Sequence, residues 1–323
     1  MHSVYHGGAR EWEKDFIDFS QSVNPYYPSF LKKYLIKAEI ERYPYCEERY
    51  EETIKKVVGT EVALGAGVTE LYYMAFYAVK DLEYIVYPEY TYSEIKRLAF
   101  LFNKRSKTIN KLLPNLDDFP IIKNSAYFVV NPDNPTGKYY EFLEELSDEL
   151  LKVNSMLIID ESFMPFTGKD KFLLKENVIG LRSFTKIFGI PGIRIGYAYG
   201  PKNIIEKMKE FKMPWSLGAF GCAALRGILS KEGEEFLKQT IPKVKKETRR
   251  ISNYLGLKTD ANFFFAKVEN FQALLQKLRE NKILVRDCTS FGLSGYIRFS
   301  VKKKNENNKL IKILKEFNPK PPF

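Results

Sequence analysis

Short apolar segments alternate with helical segments over much of the chain, from Val62 to about Gly200. Apolar runs of four or five residues bounded by turn residues are typical of strands that are buried on both faces. Strands that alternate with helices predict a mostly parallel sheet with helices packed against it, so the expected fold class is α/β. The clearest strands are Ile85 to Pro88, Tyr127 to Val130, Leu157 to Asp160 and Val178 to Arg182.

Helical segments flank this region on both sides. Residues 28–58 indicate two helical pieces that are broken at Arg42-Tyr43-Pro44, because the residue before a proline disfavours helical geometry. The second piece, Glu47 to Val58, ends at Gly59, and glycine is the usual residue after a helix. The charged stretch from Glu232 to Leu255 predicts a long helix that leads into a C-terminal α+β portion.

The composition is that of a water-soluble globular protein. Of the 323 residues, 45% are hydrophobic and 28% are charged, and no apolar run approaches the roughly 18 residues of a membrane span. The N-terminus lacks the pattern of a signal peptide. The three cysteines are far apart and odd in number, which favours a reduced, cytoplasmic setting. His2 and His6 are too few to build a metal site, so we expect no metal.

The chain is basic, with a net charge of +11. Its lysines and arginines are spread along the sequence and are not clustered with aromatic residues, so we expect no nucleic-acid partner. No membrane partner is expected either. A basic pocket for a phosphorylated small molecule would account for part of the excess charge.

Reactive side chains follow three of the predicted strands. Asp160 ends one strand, and open α/β sheets bind ligands at this end of their strands. Another strand leads into the segment Asn131-Pro132-Asp133-Asn134-Pro135-Thr136-Gly137, a rigid loop because of its two X-Pro steps. The third leads into Ser183-Phe184-Thr185-Lys186, and Arg194 follows eight residues later. An amine that forms a Schiff base with a phosphate-bearing aldehyde needs such hydroxyl and guanidinium neighbours to hold the phosphate.

Taken in this order, the three motifs resemble those of the fold-type I pyridoxal-phosphate enzymes, and most of all the class I and II aminotransferases. The resemblance runs from about residue 6 to about residue 301. It implies pyridoxal 5'-phosphate as the cofactor and an aspartate aminotransferase-like fold. It also implies a large domain of residues 46–235 and a small α+β domain of residues 1–45 and 236–323. A homodimer with shared active sites is expected.

The resemblance implies a role for each motif residue. Lys186 would bind the cofactor as a Schiff base, and Asp160 would keep its pyridine nitrogen protonated so that the ring accepts electrons. Asn134 would bond the phenolic oxygen, and Tyr90 would stack on the ring. The phosphate would be held by the first N–H groups of a helix, by two hydroxyls, by an arginine and by a tyrosine of the other subunit. The helix N–H groups are those around Gly67, Val68 and Thr69. The hydroxyls belong to Ser183 and Thr185, the arginine is Arg194 and the tyrosine is Tyr43.

Further residues concern the substrate. Arg298 matches the arginine that binds the α-carboxylate, whereas Phe163 stands where many relatives have a tyrosine. Two segments resemble those of threonine-phosphate decarboxylases of cobalamin biosynthesis: His6-Gly7-Gly8, which precedes Asn24-Pro25, and Arg286-Asp287-Cys288. His6, Asn24 and Arg286 are therefore candidates for substrate binding.

We expect an enzyme that acts on a small, phosphorylated amino acid. The preferred reaction is decarboxylation of O-phosphothreonine to aminopropanol phosphate. The alternative is transamination, of the histidinol-phosphate or aspartate type. Both reactions start from the same Schiff base, and the sequence does not show which substrate bond is aligned to break. A third alternative, a non-catalytic ligand sensor with this fold, predicts a missing lysine, whereas Lys186 is present.

Overall fold

The computed structural model describes residues 7–322. The strands are β1 Ile17–Asp18, β2 Glu61–Gly65, β3 Tyr84–Pro88, β4 Arg105–Ile109, β5 Ser125–Val130, β6 Met156–Asp160, β7 Val178–Ser183, β8 Gly196–Gly200, β9 Phe263–Lys267, β10 Ile283–Leu284, β11 Arg286–Asp287 and β12 Tyr296–Ser300. The α-helices are α1 Lys32–Leu35, α2 Glu47–Val58, α3 Gly67–Ala78, α4 Ser93–Leu101, α5 Leu143–Lys152, α6 Met164–Thr167, α7 Phe184–Ile187, α8 Lys202–Glu210, α9 Ala219–Ile228, α10 Lys231–Leu255, α11 Phe271–Glu280 and α12 Lys304–Glu316.

A seven-stranded sheet with the strand order β2-β8-β7-β6-β5-β3-β4 forms the larger part of the molecule. Only β8 runs against its neighbours β2 and β7, so the sheet is mostly parallel. All six residues of β5 are buried, because helices cover both faces of the sheet. Phe128 and Ile158 pack toward α3 and α4 on one face, and Tyr127 and Leu157 pack toward α5 on the other. The predicted α/β class is confirmed.

The four clearest predicted strands and the helix that ends at Gly59 are confirmed. Gly59 has a φ angle of +85°, in the left-handed region that glycine adopts readily. The first predicted helical piece is shorter than expected, because only Ser29–Leu31 and α1 are helical there. Between residues 7 and 322, none of the helices combines the length and the apolar character that a membrane crossing requires.

The N-terminal segment contacts both the seven-stranded sheet region and the region of the smaller sheets. Strand β1 pairs in parallel with β10, and Phe19 packs in the core of the three-stranded sheet β11-β12-β9. Leu31, in contrast, packs in the cluster that contains α9 of the larger part. Helix α10 passes without a break through the predicted domain boundary at residue 236.

A disulfide joins Cys46 to Cys222, with their Cα atoms 5.9 Å apart. The expectation of a reduced setting for the cysteines is therefore wrong for this pair. The two cysteines are 176 residues apart, and only the packing of the start of α2 near α9 brings them together. Cys288 is a buried free thiol. The disulfide fixes the irregular segment of residues 36–45, whose Tyr43 ring stacks on Trp215 at 4.4 Å between ring centres.

Reduction of this disulfide is expected to lower the free energy of unfolding by roughly 2–4 kcal/mol, because the cross-link then no longer restricts the unfolded chain. Denaturant titration with and without a dithiol reductant measures the change. The double variant Cys46→Ser, Cys222→Ser is the control, since the reductant should leave its unfolding midpoint unchanged. A wild-type midpoint that does not respond to the reductant would contradict the disulfide.

Candidate active site

A cavity of about 500 Å³ lies at the C-terminal ends of β6 and β7. Asn134, Asp160 and Lys186 line it, although they follow three different strands. Because the C-terminal ends of parallel strands meet at one edge of a sheet, residues that are far apart in sequence come together there. Arg286 and Arg298, from β11 and β12, form the facing wall, so the cavity lies between the two sheets.

Lys186 lies on the four-residue helix α7, directly after β7, and Ser183 occupies the N-cap position of that helix. Lys186 is partly buried, and its amine lies 5.8 Å from the centre of the Phe163 ring. Strand β7 is buried along its whole length. The lysine is therefore held on a short helix that a buried strand anchors.

The surroundings of Lys186 favour its neutral form. Burial lowers the pKa of its amine to about 8, and the positive charges of Arg298 and Arg194 act in the same direction, whereas Asp160 opposes them. A neutral amine is the nucleophilic form of lysine. At pH 8 this lysine can therefore attack a carbonyl group, which an exposed lysine does poorly.

Asp160, the last residue of β6, is buried at the same edge of the sheet. The Tyr72 hydroxyl donates a hydrogen bond to one carboxylate oxygen at 3.0 Å, and the backbone N–H of Ser162 donates to the other at 2.9 Å. Burial raises the pKa of Asp160, and these hydrogen bonds oppose the increase. A protonated ring nitrogen in the cavity would stabilise this carboxylate.

The N-terminus of α3 and Lys186 line the same cavity. The first N–H groups of a helix lack partners within the helix and attract anions. Gly67 has a φ of +76°, and a Cβ atom there would lie 2.6 Å from Nη2 of Arg194, so only glycine leaves room for the guanidinium. Other residues around this position that line the cavity are Val68, Thr69, Ser183 and Thr185.

Two arginines face each other across the antiparallel pair β11–β12, in direct register. Both Arg286 and Arg298 are buried. Arg298 donates hydrogen bonds to the side-chain oxygen of Asn134 and to the backbone oxygen of Ser20, the latter at 3.0 Å. Arg286 donates to Oγ of Ser290 at 2.6 Å. Burial lowers the pKa of Arg298 to about 10, so it stays charged at neutral pH. Two guanidinium groups on one wall suit a ligand with anionic groups.

Tyr90 lies outside the cavity, although the resemblance implies that it stacks on the cofactor. Its hydroxyl donates to Oδ1 of Asn110 at 3.0 Å. Tyr92 lines the cavity instead, with its ring 5.6 Å from that of Tyr72. Burial raises the pKa of Tyr92 to about 12, and a hydrogen bond with Thr69 opposes this effect. The sequence shows two tyrosines after β3 but not which of them faces the cavity.

Two other candidates are also not at this cavity, and the structure does not describe a third. Asn24 is buried behind α7, where its side-chain amide donates to the backbone oxygen of Ile187 at 2.9 Å. Tyr43 is 67% exposed and contacts Trp215, away from the cavity of its own chain. His6 lies outside the residues that the structure describes.

The motifs did not identify several residues of the cavity. Tyr72 contacts Asp160 because it lies three residues after Thr69, on the same face of α3. The spacing of Thr69 and Tyr72 could have indicated from the sequence that Tyr72 lies at the site. A weaker indication of further cavity residues was the polar run before Asn24, which follows the buried Phe19. Its residues that line the cavity are Ser20, Gln21 and Ser22.

Known proteins resemble this chain over nearly its whole length. Histidinol-phosphate aminotransferases predominate among the curated relatives. The one from Methanosphaera stadtmanae is 31% identical over 94% of this chain and 91% of its own length. The adenosylcobalamin biosynthesis bifunctional protein CobDQ of Leptospira interrogans is 32% identical over 92% of this chain, which spans 38% of that protein. The crystal structure of L-threonine-O-3-phosphate decarboxylase from Porphyromonas gingivalis shares the fold, with a TM-score of 0.79, 21% identity and coverage of 92% and 98% of the two chains.

The family model of aminotransferase class I and II matches residues 9–314. This range includes the lysine, the aspartate and both arginines of the cavity. The resemblance that the three sequence motifs indicate is thereby confirmed. The chain belongs to the class I and II aminotransferases, a family of pyridoxal-phosphate-dependent enzymes.

Proposed function

We propose that this protein is an aminotransferase of the histidinol-phosphate type, which exchanges an amino group between a phosphorylated amine and a 2-oxo acid. The observation that carries the proposal is the pair Arg286 and Arg298, in register on the wall opposite Lys186. Guanidinium groups bind phosphate and carboxylate alike, so one pair can serve both substrates in turn. The predominance of histidinol-phosphate aminotransferases among the relatives supports this reaction over the decarboxylation preferred from the sequence.

The cavity fits pyridoxal phosphate. The glycine at position 67 leaves a space that the Arg194 guanidinium fills, beside the first N–H groups of α3, and this arrangement suits a phosphate dianion. Ser183 and Thr185 would add hydroxyl contacts. Asp160 would meet the ring nitrogen, because a positive charge on that nitrogen would stabilise the buried carboxylate.

Two further contacts complete the proposed binding mode. Asn134 would contact the phenolic oxygen of the cofactor, and Tyr92 would contact its ring. Both residues line the cavity. We assign the ring contact to Tyr92 because the hydroxyl of Tyr90 is directed to Asn110.

When bound, the cofactor supplies an electron sink for the carbon that carries the amino group. The side chains of this protein then have to position that carbon and move its proton. Lys186 is suited to take and return the proton, because its pKa of about 8 lies close to neutral pH. Arg298 would bind the anionic group of the substrate and so orient the carbon toward the lysine. Phe163, packed against the Phe263 ring, would exclude water from the side of the amine.

A second candidate function is the decarboxylation of O-phosphothreonine. The segment Arg286-Asp287-Cys288 and the phenylalanine at position 163 favour it. The 32% identity with a protein of adenosylcobalamin biosynthesis also supports it. The two reactions differ in the substrate bond that breaks, so their products separate the candidates.

Product analysis tests the proposal. With cofactor, L-histidinol phosphate and 2-oxoglutarate, we expect glutamate to form over many turnovers. Lys186→Ala should lower the rate by about 10³-fold or more, because the nucleophile and proton carrier is lost. Lys202→Ala, which changes an exposed lysine, is the matched control.

A parallel reaction contains O-phospho-L-threonine without any 2-oxo acid, and CO₂ is measured. Sustained CO₂ release without glutamate formation in the first assay would overturn the aminotransferase proposal in favour of the second candidate. Absence of both products would overturn both.

The pH dependence of cofactor attachment tests the environment of Lys186. Attachment needs the neutral amine, whose fraction rises with pH through the pKa of Lys186, so we expect its rate to increase with a midpoint near pH 8. Removing a positive neighbour in Arg298→Met should shift the midpoint upward. Stopped-flow absorbance of the lysine-bound cofactor measures the rate. A midpoint near 10.5, the value of an exposed lysine, would contradict the described environment.

We further propose a homodimer in which Tyr43 contacts the cofactor of the other subunit. The segment of residues 36–45 supports this, because Ile36, Tyr43 and Tyr45 are 84%, 67% and 86% exposed. Neighbouring exposed apolar side chains mark an interaction surface. Arg194, on the rim of the cavity, is also exposed in the single chain.

Tyr43→Phe is expected to weaken cofactor binding about tenfold, the effect of one lost hydrogen bond to a charged group. Thermal stability should not change, since the ring still stacks on Trp215. Tyr45→Phe is the matched control, because Tyr45 also contacts Trp215. Light scattering reports the oligomeric state, and a monomeric protein or an unchanged affinity in Tyr43→Phe would contradict the shared site.

A further inference from the structure

Asn24 uses all the hydrogen-bonding groups of its side chain within the protein. Its Nδ2 group donates to the backbone oxygen of Ile187 at 2.9 Å and to Oγ1 of Thr240 at 3.0 Å. Its Oδ1 atom accepts from the backbone N–H of Tyr26 at 3.1 Å. The partners fix the orientation of the amide, since a carbonyl oxygen can only accept and an N–H can only donate. The side chain is buried and both of its N–H donors are used within the protein, so it is not accessible to a substrate.

The contacts of Asn24 converge on the end of the helix that carries Lys186. The last carbonyl groups of a helix lack partners within it, and α7 has only four residues. The backbone N–H of Asn24 donates to the carbonyl of Lys186 itself at 2.8 Å, and the side chain holds the next carbonyl, that of Ile187. The following turn fits closely, because a Cβ atom on Gly189 would lie 2.4 Å from the backbone oxygen of Asn24.

The same side chain connects α7 to the long helix α10. Thr240 is a buried residue of α10, and its hydroxyl donates to the backbone oxygen of Phe236 at 2.8 Å. Its oxygen is therefore oriented to accept from Asn24. One amide thus joins the N-terminal segment, α10 and the lysine-bearing helix, which lie in three separate regions of the chain.

We infer that Asn24 is a positioning residue for Lys186 and not a substrate ligand. Its amide holds the end of α7 so that the amine stays buried in the cavity, and Thr240 holds the amide. This inference rests on the proposed role of Lys186 in the reaction. The groups that face this amine are Arg298 on β12, Arg194 before β8 and Asp160 on β6, and none of them contacts Asn24.

The test measures Lys186 directly, in the full chain without cofactor. Trace acetylation with acetic anhydride across a pH series, quantified by mass spectrometry, gives the midpoint at which the amine becomes reactive. We expect a midpoint near pH 8 in the wild type and a higher one, toward 10.5, in Asn24→Ala, because the released amine is less buried. Asn177→Ala is the matched control, since Asn177 is also a buried asparagine that donates to two backbone oxygens, far from the lysine. Equal midpoints in the two variants would overturn the inference.

A second pair of variants tests the positioning role of Asn24 if Asn24→Ala does not fold. Thr240→Val keeps the shape but removes the acceptor for the amide, and it should shift the midpoint in the same direction. Thr240→Ser keeps the hydroxyl and should restore the wild-type profile. A Thr240→Val profile identical to the wild type would overturn the inference.

Steady-state kinetics separates positioning from substrate binding. A positioning role predicts that kcat of Asn24→Ala falls by about tenfold while KM for the amino donor changes by less than about twofold. A change confined to KM would restore the substrate-ligand role and overturn the inference. If the wild type transfers no amino group, the proposed function fails, whereas the acetylation profiles still decide the role of Asn24.

Discussion

A buried ion pair fixes the two strands on which the site depends. Nε of Arg182 lies 2.7 Å from Oε2 of Glu161, and the two side chains are only 6% and 3% exposed. The Tyr199 hydroxyl donates to the same carboxylate at 3.0 Å. Glu161 directly follows Asp160, and Arg182 directly precedes Ser183. Because neighbouring side chains of a strand point to opposite sides, the pair holds the strand ends from behind while the next residues face the cavity. Loss of Arg182 would leave the buried carboxylate of Glu161 without its cation, at a cost of about 3–5 kcal/mol.

The cavity contains more positive than negative charge. One lysine and three arginines face a single carboxylate, that of Asp160. Burial, together with repulsion by Arg298 and Arg194, explains why Lys186 loses its proton more readily than an exposed lysine. An anionic ligand would relieve this repulsion, so its binding would stabilise the folded protein. The electrostatics that favour the neutral form of the lysine therefore also favour the binding of anionic groups.

The sequence alone was sufficient to predict the sheet and the residues at the centre of the cavity. Apolar runs located the strands, and Lys186 and Asp160 follow two of them at the edge where ligands bind. The resemblance implied Tyr90 as the ring contact, whereas Tyr92 lines the cavity. Which of the two tyrosines reaches the cavity depends on the course of the chain after β3 ends. The role of Asn24 was equally inaccessible, since its partners lie 163 and 216 residues away. Side chains that act through distant partners carry no local signal, and the same holds for the disulfide.

The pairing of β1 with β10 has a consequence for the order of events on the ribosome. Ile17 finds its partner Ile283 only after most of the chain has been synthesised, and Ser20 is separated from its partner Arg298 by 278 residues. The seven-stranded sheet is complete at Gly200, so it can form while the N-terminal segment is still without its strand partner. The cavity acquires its arginine wall last. An incompletely synthesised chain can therefore contain a folded sheet without Arg286 and Arg298, and only the finished molecule has the complete cavity.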